Sequence, residues 1–199
     1  MLRLVHDDDT PMVSALAMLG DGWWIAGGTP LRWYQRCAVD SDVDLYFNSA
    51  ESFQRTQGRL QKIAEKFDTR RVSYLQVTKV HSTDNADTYR LDVNPVGDAD
   101  TVQEYTVQLI KRRWYADPRQ LLEDFDITVC QIATDGEQLW TSDEFARDVH
   151  QRRLRFSRVT ANSAKRLIKY WIYGFEPDDE TIQRICDQPE LTLRSTDDY

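Results

Sequence analysis

The stretch from Trp23 to Phe47 reads WWIAGGTPLRWYQRCAVDSDVDLYF, and its reading decides the fold. An apolar run, Trp23 to Ala26, ends in a double glycine, as a strand does when it enters a tight turn. Thr29 to Cys37 then reads as a short helix with Pro30 near its start. Ser41 to Phe47 is a second strand, in which Val43, Leu45 and Phe47 face one way and Asp42 and Asp44 the other, by the two-residue period. An unpaired buried carboxylate costs on the order of several kcal/mol or takes up a proton, so two on one strand call for compensation. A bound cation is one candidate.

The glycines supply a second part of the same design. Gly27 and Gly28 leave backbone N–H groups at the positive end of the following helix and allow a ligand close to the main chain, an arrangement suited to phosphate. Thr29 adds a hydroxyl and Arg32 a guanidinium one turn later. Paired hard oxygen donors such as Asp42 and Asp44 favour Mg²⁺, which keeps waters and shares phosphate oxygens with a substrate. In a two-ion site the metals lie about 4 Å apart, activate an attacking hydroxyl and stabilise the leaving oxygen, and such a site wants a third carboxylate. EDFDITVCQI supplies one in Asp126, an acid inside an apolar, β-branched run; its alternative reading is a strand-start aspartate facing water. Asp92 in YRLDVNP is the competitor for this role. Asp124 fits a helix end, and Asp40, though it shares the parity of Asp42 and Asp44, precedes the apolar residues.

These residues resemble a known superfamily. AGG, a gap of thirteen residues and then DVDL is similar to the nucleotidyltransferases that include DNA polymerase β and the CCA-adding and poly(A) polymerases. FDIT resembles their third-carboxylate strand. RLIKYWIYGF resembles the arginine–lysine–tyrosine helix that follows the catalytic domain in CCA-type and compact viral or phage members. The resemblance implies an α+β fold, a mixed sheet flanked by helices, with a small helical C-terminal extension. It implies Mg²⁺-dependent transfer of NMP from an NTP, ATP among them, to a hydroxyl on RNA, a protein or a small molecule. Two Mg²⁺ ions, or Mn²⁺ in their place, would be ligated by Asp42, Asp44 and Asp126. Gly27, Gly28, Thr29 and Arg32 would hold the triphosphate, with Arg166, Lys169 and Tyr170 in nucleotide contact. Two departures stand out: GGTPLRW places its arginine later than the GGxVRD of CCA-type enzymes and lacks the acid, and their long RNA-binding tail is absent. A fold-retaining protein that binds nucleotide, nucleic acid or a partner without catalysis is the alternative.

Composition limits the remaining choices. The chain has 199 residues, 41% hydrophobic and 29% charged, enough for one domain with a real core. Its apolar stretches fall well short of the roughly 20 residues of a membrane span, and MLRLVHDDDT lacks the core of a signal peptide, so a cytoplasmic location is expected. Cys37, Cys130 and Cys186 have neither disulfide-framework nor zinc spacing, and His6, His81 and His150 lack HxxxH or HExxH spacing. A net charge of −8 disfavours tight non-specific binding to nucleic acid. The charge is uneven, however: Arg147, Arg152, Arg153, Arg155, Arg158, Lys165, Arg166 and Lys169 crowd one stretch and Lys111 to Arg113 another. Both suit phosphate contacts or ion pairs. The tryptophans and tyrosines are expected mostly in the core.

The element order predicted along the chain begins with a helix capped at Asp9 or Thr10 and continues with the two strands above and an amphipathic helix opening at Ser49. Strands follow over 70–80, 87–95 and 104–114, with a hairpin loop over 81–88. A helix capped by Asp117 comes next, then a strand pair over 126–141 turning at Asp135–Gly136. Helices capped at Thr141 or Ser142, ending at Gly174, and over 177–188 close the chain, with 194–199 expected to fray. The division expected is 1–140 for the αβ domain and 141–199 for the helical extension.

Overall fold

Alternation along the first two strands sets the two faces of the sheet. In the computed structural model, which describes residues 4–67, 75–94 and 101–187, helix α1 (Thr10–Ala17) precedes β1 (Trp23–Ala26), α2 (Gly28–Tyr34) and β2 (Val43–Phe47). β1 and β2 pair antiparallel, Ile25 opposite Leu45 and Trp23 opposite Phe47. Trp23, Ile25, Val43, Leu45 and Phe47 join the largest apolar cluster, together with Met12 and Leu16 of α1. By the strand period Trp24, Ala26, Asp44 and Tyr46 face the other side.

Asp9 occupies the predicted cap position of α1 but makes no capping bond with its side chain. Its buried carboxylate reaches across the core instead, accepting from the Trp33 indole N–H at 2.8 Å and the Val39 backbone N–H at 2.9 Å. One acid thereby ties α1, α2 and the approach to β2 together.

The helix α3 (Ala50–Phe67) buries Phe53 and Leu60, and Ile63 packs beside them. Beyond it, β3 (Leu75–Ser82), β4 (Ala86–Val93) and β5 (Gln103–Trp114) run antiparallel to one another. The predicted hairpin loop shrinks to a short turn at 83–85 because both strands continue into it; residues 70–74 of the expected strand lie outside the described residues. β5 then lies parallel to β2, with Val107 opposite Val43, Gln108 opposite Asp44 and Leu109 opposite Leu45. After α4 (Pro118–Glu123), capped by Asp117 as expected, β6 (Ile132–Thr134) and β7 (Leu139–Thr141) complete a mixed sheet of order β3-β4-β5-β2-β1-β6-β7.

The strand expected to start at Asp126 is a correction. Asp126 lies in a turn, Ile127 makes one isolated bridge to Phe156, and Thr128–Cys130 is a 3-10 turn. The β-branched run there reflects burial, not pairing: Ile127, Val129 and Cys130 pack with Leu31, Phe145, Leu154, Phe156, Tyr170 and Phe175. The Thr128 hydroxyl donates to the fully buried Asp148 at 2.6 Å, and Asp148 also accepts from Arg155 Nε at 2.9 Å.

The chain closes with α5 (Asp143–Gln151), β8 (Arg153–Leu154), α6 (Ser163–Ile172), β9 (Glu176–Pro177) and α7 (Asp179–Cys186). Ser142 caps α5 by accepting from the Phe145 N–H at 2.9 Å, and β8 and β9 pair parallel. The expected fraying over 194–199 lies outside the described residues. Among those described, no helix is long and apolar enough to cross a membrane.

Candidate active site

Asp44 stands on the sheet face away from the largest core, and the strand beside it offers a side chain that local reading passed over. Gln108 pairs with Asp44 in the β2–β5 register. Its amide donates to Asp42 Oδ2 at 2.7 Å. From the other side, the buried Thr29 hydroxyl donates to the Asp42 carbonyl at 3.4 Å. Thr29 therefore braces the aspartate pair to the start of α2. Burial, and then the charge of Asp42, raise the Asp44 carboxyl to about 7, with Lys169 and Arg166 pulling the other way. Burial and the charge of Asp44 likewise hold the Tyr46 phenol above its ordinary value.

The glycine turn has the predicted backbone. Gly27 has φ of +82° at the N-cap of α2, and a Cβ there would come 2.8 Å from Phe125 Cε1. Its N–H is not bare, as expected from sequence, but donates to the Ile132 carbonyl at 3.0 Å. A Cβ on Gly28 would lie 3.5 Å from the Tyr170 hydroxyl, which places α6 over the turn. Arg32 turns the same way: it lies 3.3 Å from Asp40 and its guanidinium is 4.6 Å from the Tyr173 ring centre. The Tyr173 hydroxyl donates to Asp40 at 2.8 Å. Arg32 thus holds α6 against α2.

From α6, Arg166 and Lys169 reach toward Asp44 electrostatically, and Tyr170 is buried beside them. Arg166 is also ion-paired with Asp126 at 2.5 Å, and Asp126 accepts a second bond from the Thr160 hydroxyl at 3.2 Å. The other candidate acids have partners as well. Asp92 sits opposite Glu104 and 3.2 Å from Arg90; Asp124 accepts from Tyr115 at 2.7 Å and from Arg113 at 2.9 Å. Among the described residues, no three His, Cys, Asp or Glu side chains form a group that could hold a metal ion. The structure brings together Asp42, Asp44, Gly28, Thr29, Arg166, Lys169 and Tyr170; Asp126 enters through Arg166. Gln108 was legible only as a polar residue alternating with apolar ones in YTVQLI, a signal that does not say which strand it will meet.

Comparison with known proteins adds a family and a fold. Residues 3–152 match the model of the Gad2 family, Gabija anti-defense 2. This chain belongs to the Gad2 family. Among solved structures, this Gad2 protein is similar to a CCA-adding enzyme in complex with ATP, with 13% identity, a TM-score of 0.56, and 94% of this chain and 43% of that chain covered. It is also similar to an apo form of a CCA-adding enzyme, with 12% identity, a TM-score of 0.53, and coverage of 94% and 45%. The likeness establishes a nucleotidyltransferase-like fold, and the Gad2 chain spans less than half the length of those enzymes. No curated protein matches it.

The donor set of the Gad2 chain can be tested against the cation its fold implies. Asp42 is exposed and Asp44 partly so, and they share one face of β2. Their mutual repulsion, visible in the raised Asp44 carboxyl, is what a shared hard cation relieves. Asp42 and Asp44 are the side chains that would hold one such ion.

Proposed function

We propose that this Gad2 protein is a metal-dependent nucleotidyltransferase of the cytoplasm that moves a nucleoside monophosphate from an NTP to a hydroxyl acceptor and releases pyrophosphate. The acceptor oxygen bonds to the α-phosphorus while the bond from that phosphorus to the bridging oxygen breaks, and the hydroxyl proton passes to solvent. The observation that carries this reading is the placement of Asp42 and Asp44 beside the glycine turn and under Arg166 and Lys169 of α6. Mg²⁺ or Mn²⁺ held by Asp42 and Asp44 would neutralise phosphate charge and polarise the α-phosphate. Lys169 and Arg166 answer the remaining charge of the triphosphate, and the first turn of α2 presents backbone N–H groups to it. Asp126 holds Arg166 in place, and Arg32 and Thr29 hold α2, α6 and the aspartate strand in register. The family's description, Gabija anti-defense 2, is a reason to look for the acceptor hydroxyl among the RNA, proteins and small molecules of a Gabija system.

Incubation with α-labelled NTPs and Mg²⁺ or Mn²⁺, in the presence of extract containing the Gabija system, tests this. The native chain should label an acceptor, and Asp42→Ala and Asp44→Ala, both folded by circular dichroism, should not. Equal labelling by both variants would remove catalysis from these residues.

Two observations favour a second reading, a nucleotide-binding protein without turnover: the neutral Gln108 lies beside the acid pair, and Asp126 is committed to Arg166. Calorimetry separates the two readings. Nucleotide binding that persists in EDTA, with no pyrophosphate released over the acceptor panel, would favour it.

A further inference from the structure

Resting on the nucleotide-site reading above, the charges around Asp44 determine how many cations the site can hold. Val107 and Leu109 are fully buried in the large core, so the pleat fixes Gln108 on the face of Asp44. The neighbouring strand therefore contributes an amide where a carboxylate would complete a three-acid set. Gln108 also engages Asp42 Oδ2 through its N–H at 2.7 Å. That oxygen is already hydrogen-bonded, and the amide adds no negative charge. Lys169 and Arg166 of α6 act on Asp44 through their charge, and Arg166 is already paired with Asp126. With the charge of Arg166 answered by Asp126, Lys169 offsets part of the charge of Asp42 and Asp44, and these two carboxylates alone do little to draw a strongly hydrated Mg²⁺ out of water.

We propose that Gln108 is a positioning residue that limits this site to a single divalent cation, the one that enters as the complex of a nucleoside triphosphate. The phosphates supply the anionic oxygens that the protein lacks, and Asp42 and Asp44 supply the rest. A carboxylate at this position would make a second cation site that forms without nucleotide.

Titration of the full chain with Mn²⁺, followed by electron paramagnetic resonance, tests this with and without α,β-methylene-ATP. The native chain should bind Mn²⁺ at least about tenfold more tightly when the analogue is present, and hold one ion per chain. Gln108→Glu should bind Mn²⁺ without the analogue at least about tenfold more tightly than the native chain and hold two ions with it. Gln108→Ala removes the amide and adds no charge, so it should not gain the second ion. Two ions per native chain, or Mn²⁺ held equally well without the analogue, would overturn the inference while leaving the nucleotide site standing. An analogue that fails to bind with any cation would overturn both. The native comparison decides the matter even where Gln108→Glu does not fold.

Discussion

On the proposed reading, catalysis and stability pull Asp44 in opposite directions. Its carboxyl is raised from 3.8 to about 7, first by burial and then by Asp42. A carboxyl raised in the native state holds its proton more tightly there than in the unfolded chain. Between about pH 4 and 7 the native state therefore binds more protons, and stability falls as pH rises through that window. Asp44→Asn removes the penalty. Without nucleotide or metal, the variant should melt higher than the native chain at pH 8, by about 2–4 °C for each kcal/mol regained. The gap should close below about pH 3, where Asp44 is protonated in both states. Equal melting temperatures at pH 8 would mean that burial and Asp42 exert no such pressure. The same variant should lose NTP turnover, as expected of a destabilising charge retained for chemistry. The pair itself was legible, because strand parity exposes two acids on one face; the Gln108 contact was not, because it depends on a pairing between segments far apart in sequence.

Among the elements, α2 and α5 show two ways in which local sequence holds a shape. Gly27 combines φ of +82° with a Cβ position 2.8 Å from Phe125, so Gly27→Ala meets both backbone strain and a clash. It should destabilise by about 1–3 kcal/mol in urea unfolding, while the half-buried Gly58, with open space at its Cβ position and an unstrained backbone, should tolerate alanine. α5 is held from below by Asp148, which is fully buried and bonded to Thr128 and Arg155. Asp148→Ala leaves Arg155 without its partner and should cost about 3 kcal/mol, read as a lower urea midpoint at unchanged slope. The glycine turn was readable from sequence because few residues adopt that φ. The Thr128–Cys130 turn was not: an apolar β-branched run signals burial equally well in a strand or in a tight turn enclosed by helices.

Taken as a whole, the molecule completes its site from the far end of the chain. Three cations of the basic stretch that suggested phosphate binding are tied into ion pairs: Arg153 with Asp178 at 2.9 Å, Arg155 with Asp148 at 2.9 Å and Arg166 with Asp126 at 2.5 Å. Lys169, 5.8 Å from the Tyr173 ring centre and acting on Asp44, comes from α6, beyond residue 152 where the family match ends. Lys169→Ala should weaken NTP binding by about tenfold, the scale of one charge-assisted contact, and leave the melting temperature within about 2 °C. An unchanged NTP affinity would separate α6 from the nucleotide. Here too the sequence showed the helix and its three residues but not their destination, since α6 reaches the glycine turn, with the Tyr170 hydroxyl 3.5 Å from the Cβ position of Gly28, only through tertiary packing.

A crystal structure with Mn²⁺ and α,β-methylene-ATP tests the nucleotide site most directly. Anomalous density for Mn²⁺ should lie between the carboxylates of Asp42 and Asp44, with the triphosphate against Lys169, Arg166 and the first turn of α2. Manganese held elsewhere, or a nucleotide bound away from this face of the sheet, would contradict the account.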